Sequence, residues 1–246
     1  MRSLLRVRRA IQLSIDLDEI MEKAVLGEGT VMPSFLITSS WAFDPNLKPI
    51  TRDLDAAKAL LAEVGWTDTD GDGTLDKDGV KFSFALITNE GKTRRGQIAE
   101  LVQQHLAEVG IEVQVSAIDF NQLLDIGDAQ SFDALVLGWR NRDPDDPNWT
   151  GLFTTDVDIV GSGCNNFSYS NPEVDRLMKA ANNVPGCKPE DRAPLYWELQ
   201  RILQEDQAYV WLFTQNGFYA ANNSITNWSP QPNNLFWHAE DWKITK

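Results

Sequence analysis

The fold is decided by the run Val80-Lys81-Phe82-Ser83-Phe84-Ala85-Leu86, in which apolar residues alternate with polar or small ones. This period of two predicts a half-buried strand. The next apolar residues recur at helical spacing, and they are Ile98, Leu101, Val102, Leu106 and Val109. Gly110 ends that predicted helix. Alternation then returns at Ile111, Val113 and Val115, which predicts a second strand.

The same alternation of elements continues toward the middle of the chain. A short helix is predicted from Asp119 to Ile126. The run from Phe132 to Leu137 is apolar apart from Asp133, as expected of a strand covered on both faces. Strand, helix, strand, helix and strand at this spacing predict an α/β layer with right-handed crossovers.

The flanking sequence is mainly helical. Asp16 and Glu19 form a capping-box pattern, and another helix is predicted from Asp53 to Val64. Asn171 and Pro172 predict a helix start, and a further helix is expected to begin near Pro194 instead of Pro189. Strands are predicted at 209–213 and 217–221, whereas residues 29–50 and 138–169 are too irregular to assign.

Composition excludes several classes of protein. The chain has 246 residues, a formal net charge of −14 and a pI near 4.5. Nucleic acids and anionic membranes attract clustered Lys and Arg, so neither is an expected partner. No apolar run approaches the ~20 residues of a membrane-spanning helix. The two histidines and two cysteines are too scattered for a zinc site.

An acidic loop runs from Asp68 to Gly79 and matches most of a calcium-binding pattern. Oxygen ligands fall at Asp68, Asp70, Asp72, Thr74 and Asp76, with Gly73 at the sharp turn. The twelfth position, which should be a bidentate Glu, is Gly79. We therefore expect a structural calcium ion bound weakly, in the ~10⁻⁴–10⁻³ M range of extracellular modules. The alternative is an acidic turn without a metal, and no catalytic cofactor is expected.

The two cysteines, Cys164 and Cys187, lie in polar, loop-like sequence. We expect them to form a disulfide that ties the long central loop to the turn between the two late helices. Such a bond implies an oxidising compartment. The alternative is a pair of free thiols, because spacing alone does not fix the pairing.

Taken in order along the chain, several motifs resemble the family 5 extracellular solute-binding proteins, the peptide-type receptors of ABC importers. No single motif is decisive, but their order and spacing are specific and cover nearly the whole chain. They are Arg6-Val7-Arg8-Arg9-Ala10-Ile11 with Ser14-Ile15-Asp16, the helix 56–65 with Trp66, Asp68 to Gly73, Phe132-Asp133-Ala134 with Gly138-Trp139, residues 169–175, and Gln200 to Phe213.

The resemblance implies a type II periplasmic-binding-protein lobe, in which a mixed sheet is flanked by helices. Family members have two such lobes that close on a ligand. Residues 1–221 correspond to the second lobe, and residues 222–246 to a return segment that packs on the first. The tail aromatics fit this division, because no regular element is available to bury Trp228, Phe236, Trp237 and Trp242. The chain is thus expected to be a fragment of a two-lobed receptor.

The resemblance also implies a ligand site after the Gly138-Trp139 pair, where an acidic residue receives the positive amino terminus of a peptide. Asp143 is the best match, followed by Asp145. Further ligand contacts are expected from Trp139, Trp149, Asn165 and Tyr169. The implied protein is a periplasmic or extracellular receptor, lipid-anchored in its full-length form, that delivers an oligopeptide or dipeptide to an ABC importer permease.

Other functions remain as alternatives. An oligosaccharide receptor of the same fold would use the tryptophans to stack on sugar rings. A glycoside hydrolase would need paired carboxylates near such tryptophans. No nucleophile with an orienting base is recognisable, so no catalysis is expected. A calcium-dependent adhesion domain would use only the acidic loop.

Overall fold

The computed structural model describes residues 2–140, 146–231 and 234–245. Within these ranges the chain forms the α-helices α1 (Arg2–Ser14), α2 (Leu17–Lys23), α3 (Leu54–Glu63), α4 (Thr93–Ala107), α5 (Phe120–Asp128), α6 (Thr150–Phe153), α7 (Pro172–Asn182) and α8 (Pro189–Glu205). The strands are β1 (Gly29–Val31), β2 (Asp76–Lys77), β3 (Val80–Lys81), β4 (Ser83–Asn89), β5 (Glu112–Ile118), β6 (Ala134–Leu135), β7 (Phe213–Gln215), β8 (Ile225–Thr226) and β9 (Lys243–Ile244).

A three-stranded parallel sheet lies at the centre, in the order β5-β4-β6. The chain leaves β4 through α4 to reach β5 on one side, and then returns through α5 to β6 on the other side. Right-handed crossovers in opposite directions place their helices on opposite faces of a sheet. The α/β prediction is confirmed, although β6 is only two residues long.

The helices and the sheet enclose two hydrophobic cores. The first joins α1, α2, α3 and α4 to one face of the sheet and includes Ile15, Leu61, Leu86, Leu106 and Val113. The second joins α6, α7 and α8 to residues 35–43 and includes Phe153, Met178, Tyr196, Leu199 and Trp211. Both cores lie within the segment predicted as one lobe.

The predicted helix starts are confirmed where a polar side chain caps the helix. Asp16 accepts a hydrogen bond from the Glu19 amide at 2.9 Å, and Asp53 accepts one from the Ala56 amide at 2.9 Å. Asn171 does the same at the start of α7. Each cap satisfies an amide that has no partner inside its helix, which is why the sequence signal is reliable.

The predicted start of α8 is wrong. The helix begins at Pro189 and contains Pro194. A proline at that position removes one hydrogen bond to the carbonyl four residues earlier, that of Glu190. Pro194 and Glu190 are both exposed. Water can solvate the carbonyl there, so the first turn survives.

The strand predictions after α8 are only partly correct. Phe213 belongs to β7, which pairs antiparallel with β1, a strand that the sequence did not predict. Residues 217–221 form no strand. Strand β1 has three residues, and its partner lies far away in sequence, so no local pattern reveals it.

None of the helices within the described ranges is both long and apolar enough to cross a membrane.

Candidate functional site

The carboxyl ends of the three parallel strands meet at one edge of the sheet, and the chain reverses direction there around β4. Such a reversal leaves a crevice between the loops that follow neighbouring strands, where open α/β sheets bind ligands. Asn89 ends β4, Arg95 lies in the first turn of the following α4, and Trp139 follows β6. These three residues define what we call the carboxyl edge.

Arg95 carries an unbalanced positive charge at the carboxyl edge. Its guanidinium donates a hydrogen bond to Oδ1 of Asn89, whose Nδ2 in turn donates to the Glu90 carbonyl at 3.0 Å. Within the part of the chain that the structure describes, Arg95 makes no ion pair. Burial lowers the pKa of Arg95, because a half-buried guanidinium loses hydration. An anionic ligand group would restore the missing counter-charge.

Trp139 is an exposed aromatic residue at the carboxyl edge. The residue is 49% exposed, and its side chain lies near that of Tyr209. Burial raises the pKa of Tyr209, so its hydroxyl stays protonated at neutral pH. Trp139 is therefore accessible to a ligand, and its role in ligand binding stays a prediction.

Three other predicted ligand residues are buried inside the chain. Trp149 packs in the second core. Asn165 donates to the carbonyls of Thr154 and Tyr169 at 3.1 and 2.7 Å, and it accepts from the Tyr169 amide at 3.0 Å. The Tyr169 hydroxyl donates to Asp206 at 2.6 Å. Their polar atoms therefore hold the loop before α7, and their roles in ligand binding stay predictions.

The predicted acceptors of the ligand ammonium, Asp143 and Asp145, lie outside the described residues. They stay predictions. The chain on both sides of them is placed: Trp139 and Arg140 precede them, and Asp146 accepts a hydrogen bond from the Asn148 amide at 3.1 Å.

The predicted disulfide is not formed, because Cys164 and Cys187 are both free and exposed. The reason is their position along α7. Cys164 adjoins Asn165, which is bonded to Tyr169 just before α7 begins, whereas Cys187 follows the far end of the helix. An eleven-residue helix is roughly 16 Å long, and a disulfide requires Cα atoms within about 7 Å.

The acidic loop folds into a compact turn around its own carboxylates. Asp68 accepts hydrogen bonds from the amides of Gly71 and Gly73 at 2.7 and 3.0 Å. Both glycines have positive φ angles, of 79° and 91°, which explains why the loop needs them. Asp76 accepts from the amide and the hydroxyl of Thr69.

A lysine occupies part of the predicted calcium site. The Lys81 ammonium lies 2.7 Å from Asp70 and 2.9 Å from Asp72. Its hydrogen bonds hold the pKa values of both carboxyls below their ordinary range. Carboxylate oxygens of Asp68, Asp70 and Asp76 still lie within 4.8 Å of one another. The donor set thus fits a divalent cation only in part, and calcium binding stays a prediction.

We expect Lys81→Met to increase the rise in melting temperature that millimolar calcium produces. The ammonium competes for Asp70 and Asp72, so its removal leaves both carboxylates to the metal. The measurement is thermal unfolding in chelator and in calcium at concentrations around ~10⁻³ M. Lys58→Met, at an exposed position on α3, is the control. An unchanged melting temperature for both wild type and Lys81→Met would show that the loop is only a turn.

Sequence reasoning missed Asn89 and Arg95. The available signal was the basic run Lys92-Thr93-Arg94-Arg95, which directly follows a predicted strand in an otherwise acidic chain. The helix stripe that begins at Ile98 drew attention to the buried side of α4, so the polar first turn was left unassigned.

Comparison with known proteins gives the chain a family context. Residues 3–160 match the family described as bacterial extracellular solute-binding proteins, family 5 Middle. The oligopeptide-binding protein AppA of Bacillus subtilis (strain 168) is 32% identical over 98% of this chain and 44% of its own length. A probable ABC transporter-binding protein of Deinococcus radiodurans is 28% identical over 89% of this chain and 39% of its own length.

Solved structures show the same fold. The crystallised AppA from Bacillus subtilis, in complex with a nonapeptide, superposes with a TM-score of 0.85 at 31% identity. That match covers 98% of this chain and 48% of the other. The chain therefore spans less than half the length of the curated relatives that it matches.

Proposed function

This chain belongs to the bacterial extracellular solute-binding proteins of family 5, and from that premise we propose that its longer protein is a receptor that binds peptides outside the cytoplasm. The receptor delivers them to an ABC importer. The relatives are named as an oligopeptide-binding protein and an ABC transporter-binding protein, which supports both parts of the proposal. Their family consists of binding proteins, and the proposed role involves no catalysis.

The observation that carries the proposal is Arg95 at the carboxyl edge. A peptide has a carboxylate at one end and an ammonium at the other, and Arg95 offers the bidentate donor that suits a carboxylate. Trp139 offers an exposed ring for a side chain. Asp143 or Asp145 would take the ammonium. This arrangement recognises a peptide by its two charged ends.

The division into two parts is also a proposal. Residues 1–221 form one lobe, and residues 222–246 pack on a second lobe that contributes the opposite wall of the site. The tail supports this, because Phe236 and Ile244 are largely exposed, and Trp237 is partly so. A lipid anchor on the longer protein and docking on an importer permease complete the proposed arrangement.

A second candidate ligand is an oligosaccharide. The half-exposed ring of Trp139 favours it, because indole faces stack on sugar rings. A neutral sugar leaves the charge of Arg95 without a counter-ion, which is why we place this candidate second.

We expect the complete receptor to bind peptides with free termini, and the present chain alone to bind them more weakly. One lobe supplies only one wall, so water keeps access to the ligand. Isothermal titration of both proteins with a pool of nonapeptides, a pool of dipeptides and a mannose oligosaccharide tests this. Heat only from the oligosaccharide would select the second candidate. Hydrolysis of the peptides would contradict the proposed receptor role. Equal affinity of both proteins for the peptides would contradict the two-wall arrangement.

A further inference from the structure

The negative charge of the chain is concentrated in one segment. Residues 96–175 contain fourteen acidic residues and two basic ones, Arg140 and Arg142, a net charge of −12 in a chain of −14. The rest of the chain is therefore nearly neutral. An asymmetry of this size steers association with an oppositely charged partner.

Exposed apolar side chains lie on this acidic segment. On α5, Leu123 and Gly127 are buried, whereas Phe120 and Leu124 are 44% and 40% exposed. A turn later in the chain, after Thr155–Val157, presents Ile159 and Val160, which are 52% and 68% exposed. We call these four residues the α5 face.

Hydrogen bonds fix the turn against the C-terminal end of α5. The Gly161 amide donates to the Asp128 carbonyl at the end of α5, at 2.7 Å. Gln130 donates to Asp158 at 2.7 Å, and the Ser168 hydroxyl donates to Gln130 at 2.9 Å. Ile159 and Val160 are therefore held near the C-terminal end of α5, on the helix that carries Phe120 and Leu124, before any partner arrives.

Acidic groups surround the α5 face. Exposed carboxylates lie on α5 and around the turn, and they are Asp119, Asp125, Asp128 and Asp156. None of them forms an ion pair within the described ranges. A contiguous apolar surface with a polar rim marks a protein interaction site. Because the carboxylates around the α5 face are negative, the surface of the partner should be positively charged.

We propose that the α5 face docks on the importer permease, at an extracytoplasmic surface where Lys and Arg surround an apolar socket. This proposal rests on the proposed function, which supplies the importer. A second copy of the chain is a poor occupant, because two like-charged rims would repel each other across the contact. Apolar side chains at the centre supply affinity, and the acidic rim supplies the rate of encounter.

The test uses the complete receptor and its importer in lipid nanodiscs, with the nonapeptide pool as the ligand. Leu124→Glu and Val160→Glu each place a charge in the centre of the α5 face. We expect each to raise the receptor concentration that half-maximally stimulates ATP hydrolysis by about tenfold or more. Peptide affinity, measured by calorimetry, stays unchanged. Val80→Glu, an exposed valine far along the chain in β3, is the matched control.

Salt provides an independent measurement. Raising the ionic strength from about 0.05 M to about 0.3 M shortens the screening length, so the wild-type half-maximal concentration should increase. A salt-independent value would contradict a charged rim-to-rim contact.

Each other result identifies what fails. Stimulation by the wild type and by both variants at the same concentration overturns the docking proposal alone. Loss of self-association in the variants assigns the face to a second copy. A lowered melting temperature or a lowered peptide affinity in the variants would mean that the α5 face packs on the remainder of the receptor. Packing on a second copy or on the remainder of the receptor would each overturn the proposal. If the wild type neither binds peptides nor stimulates the importer, the proposed function fails as well.

Discussion

We expect Arg95→Met in the complete receptor to lower the affinity for a peptide with a free carboxyl terminus by about 2–3 kcal/mol, or about thirty- to 150-fold. The guanidinium is half-buried and has no carboxylate partner among the described residues. A ligand carboxylate would therefore gain a charge-assisted hydrogen bond in a place with little competing water. Methionine keeps the apolar stem of the side chain and removes the charge.

Peptide amidation makes this expectation specific. An amidated nonapeptide lacks the carboxylate, so it should bind wild type and Arg95→Met with similar affinity. The difference between the free and amidated peptides then measures the interaction itself, as in a double-mutant cycle. Arg176→Met is the matched control, because Arg176 is exposed and pairs with Glu173 within α7. Equal losses for the free and amidated peptides would show that Arg95 acts only through Asn89.

The order of secondary structure was predictable because it rests on local signals. The alternation from Phe82 onward and the caps at Asp16 and Asp53 each act within a few residues. The single strand predicted at 80–86 is wrong in one respect, because Val80 and Lys81 belong to the separate strand β3, which pairs with β2, and β4 begins at Ser83. Short strands were not predicted because their pairing partners are distant in sequence. Strand β1, for example, pairs with β7, nearly two hundred residues later. The start of α8 was predicted wrongly because helix propensity penalises every internal proline equally. The energetic cost of Pro194 depends on whether water can solvate the carbonyl that loses its hydrogen bond.

The candidate site was less predictable than the fold. Trp139 was identified from its motif, and the structure places it exposed at the carboxyl edge. Asn165 and Tyr169 were predicted as ligand contacts from the resemblance to the family. In the structure their polar atoms hold the loop before α7, and their contact with a ligand stays a prediction. Whether a polar residue faces a ligand or the backbone depends on tertiary contacts, which one sequence does not reveal.

A buried amide network joins the two hydrophobic cores, and sequence reasoning also missed it. Gln12 lies on α1, on the side of the first core, and is fully buried. Its Oε1 accepts from the Trp211 amide at 2.7 Å and from Gln207 Nε2 at 3.0 Å. Its Nε2 donates to the Trp211 carbonyl at 3.2 Å. Trp211 belongs to the second core, so these hydrogen bonds of Gln12 connect the two cores.

Gln12→Leu should therefore destabilise the chain by about 3–4 kcal/mol, the largest effect of a single substitution that we expect on folding. Leucine has a similar volume, so packing changes little. The Trp211 amide loses its acceptor and its carbonyl loses its donor, and each buried group left without a partner costs roughly 1–3 kcal/mol. Gln207 keeps its hydrogen bond to the Tyr209 carbonyl, at 2.7 Å, which limits the loss.

Urea unfolding followed by tryptophan fluorescence measures this change in the free energy of unfolding. Gln104→Leu is the matched control, because it makes the same substitution at an exposed position on α4 and should alter stability by less than about 0.5 kcal/mol. A loss below about 1 kcal/mol in Gln12→Leu would mean that water or a shifted side chain satisfies Trp211. The contact between the cores would then be held by apolar packing. A loss of about 3–4 kcal/mol would show that the contact between the cores depends on the Gln12 side-chain amide, which satisfies both the N–H and the C=O of Trp211.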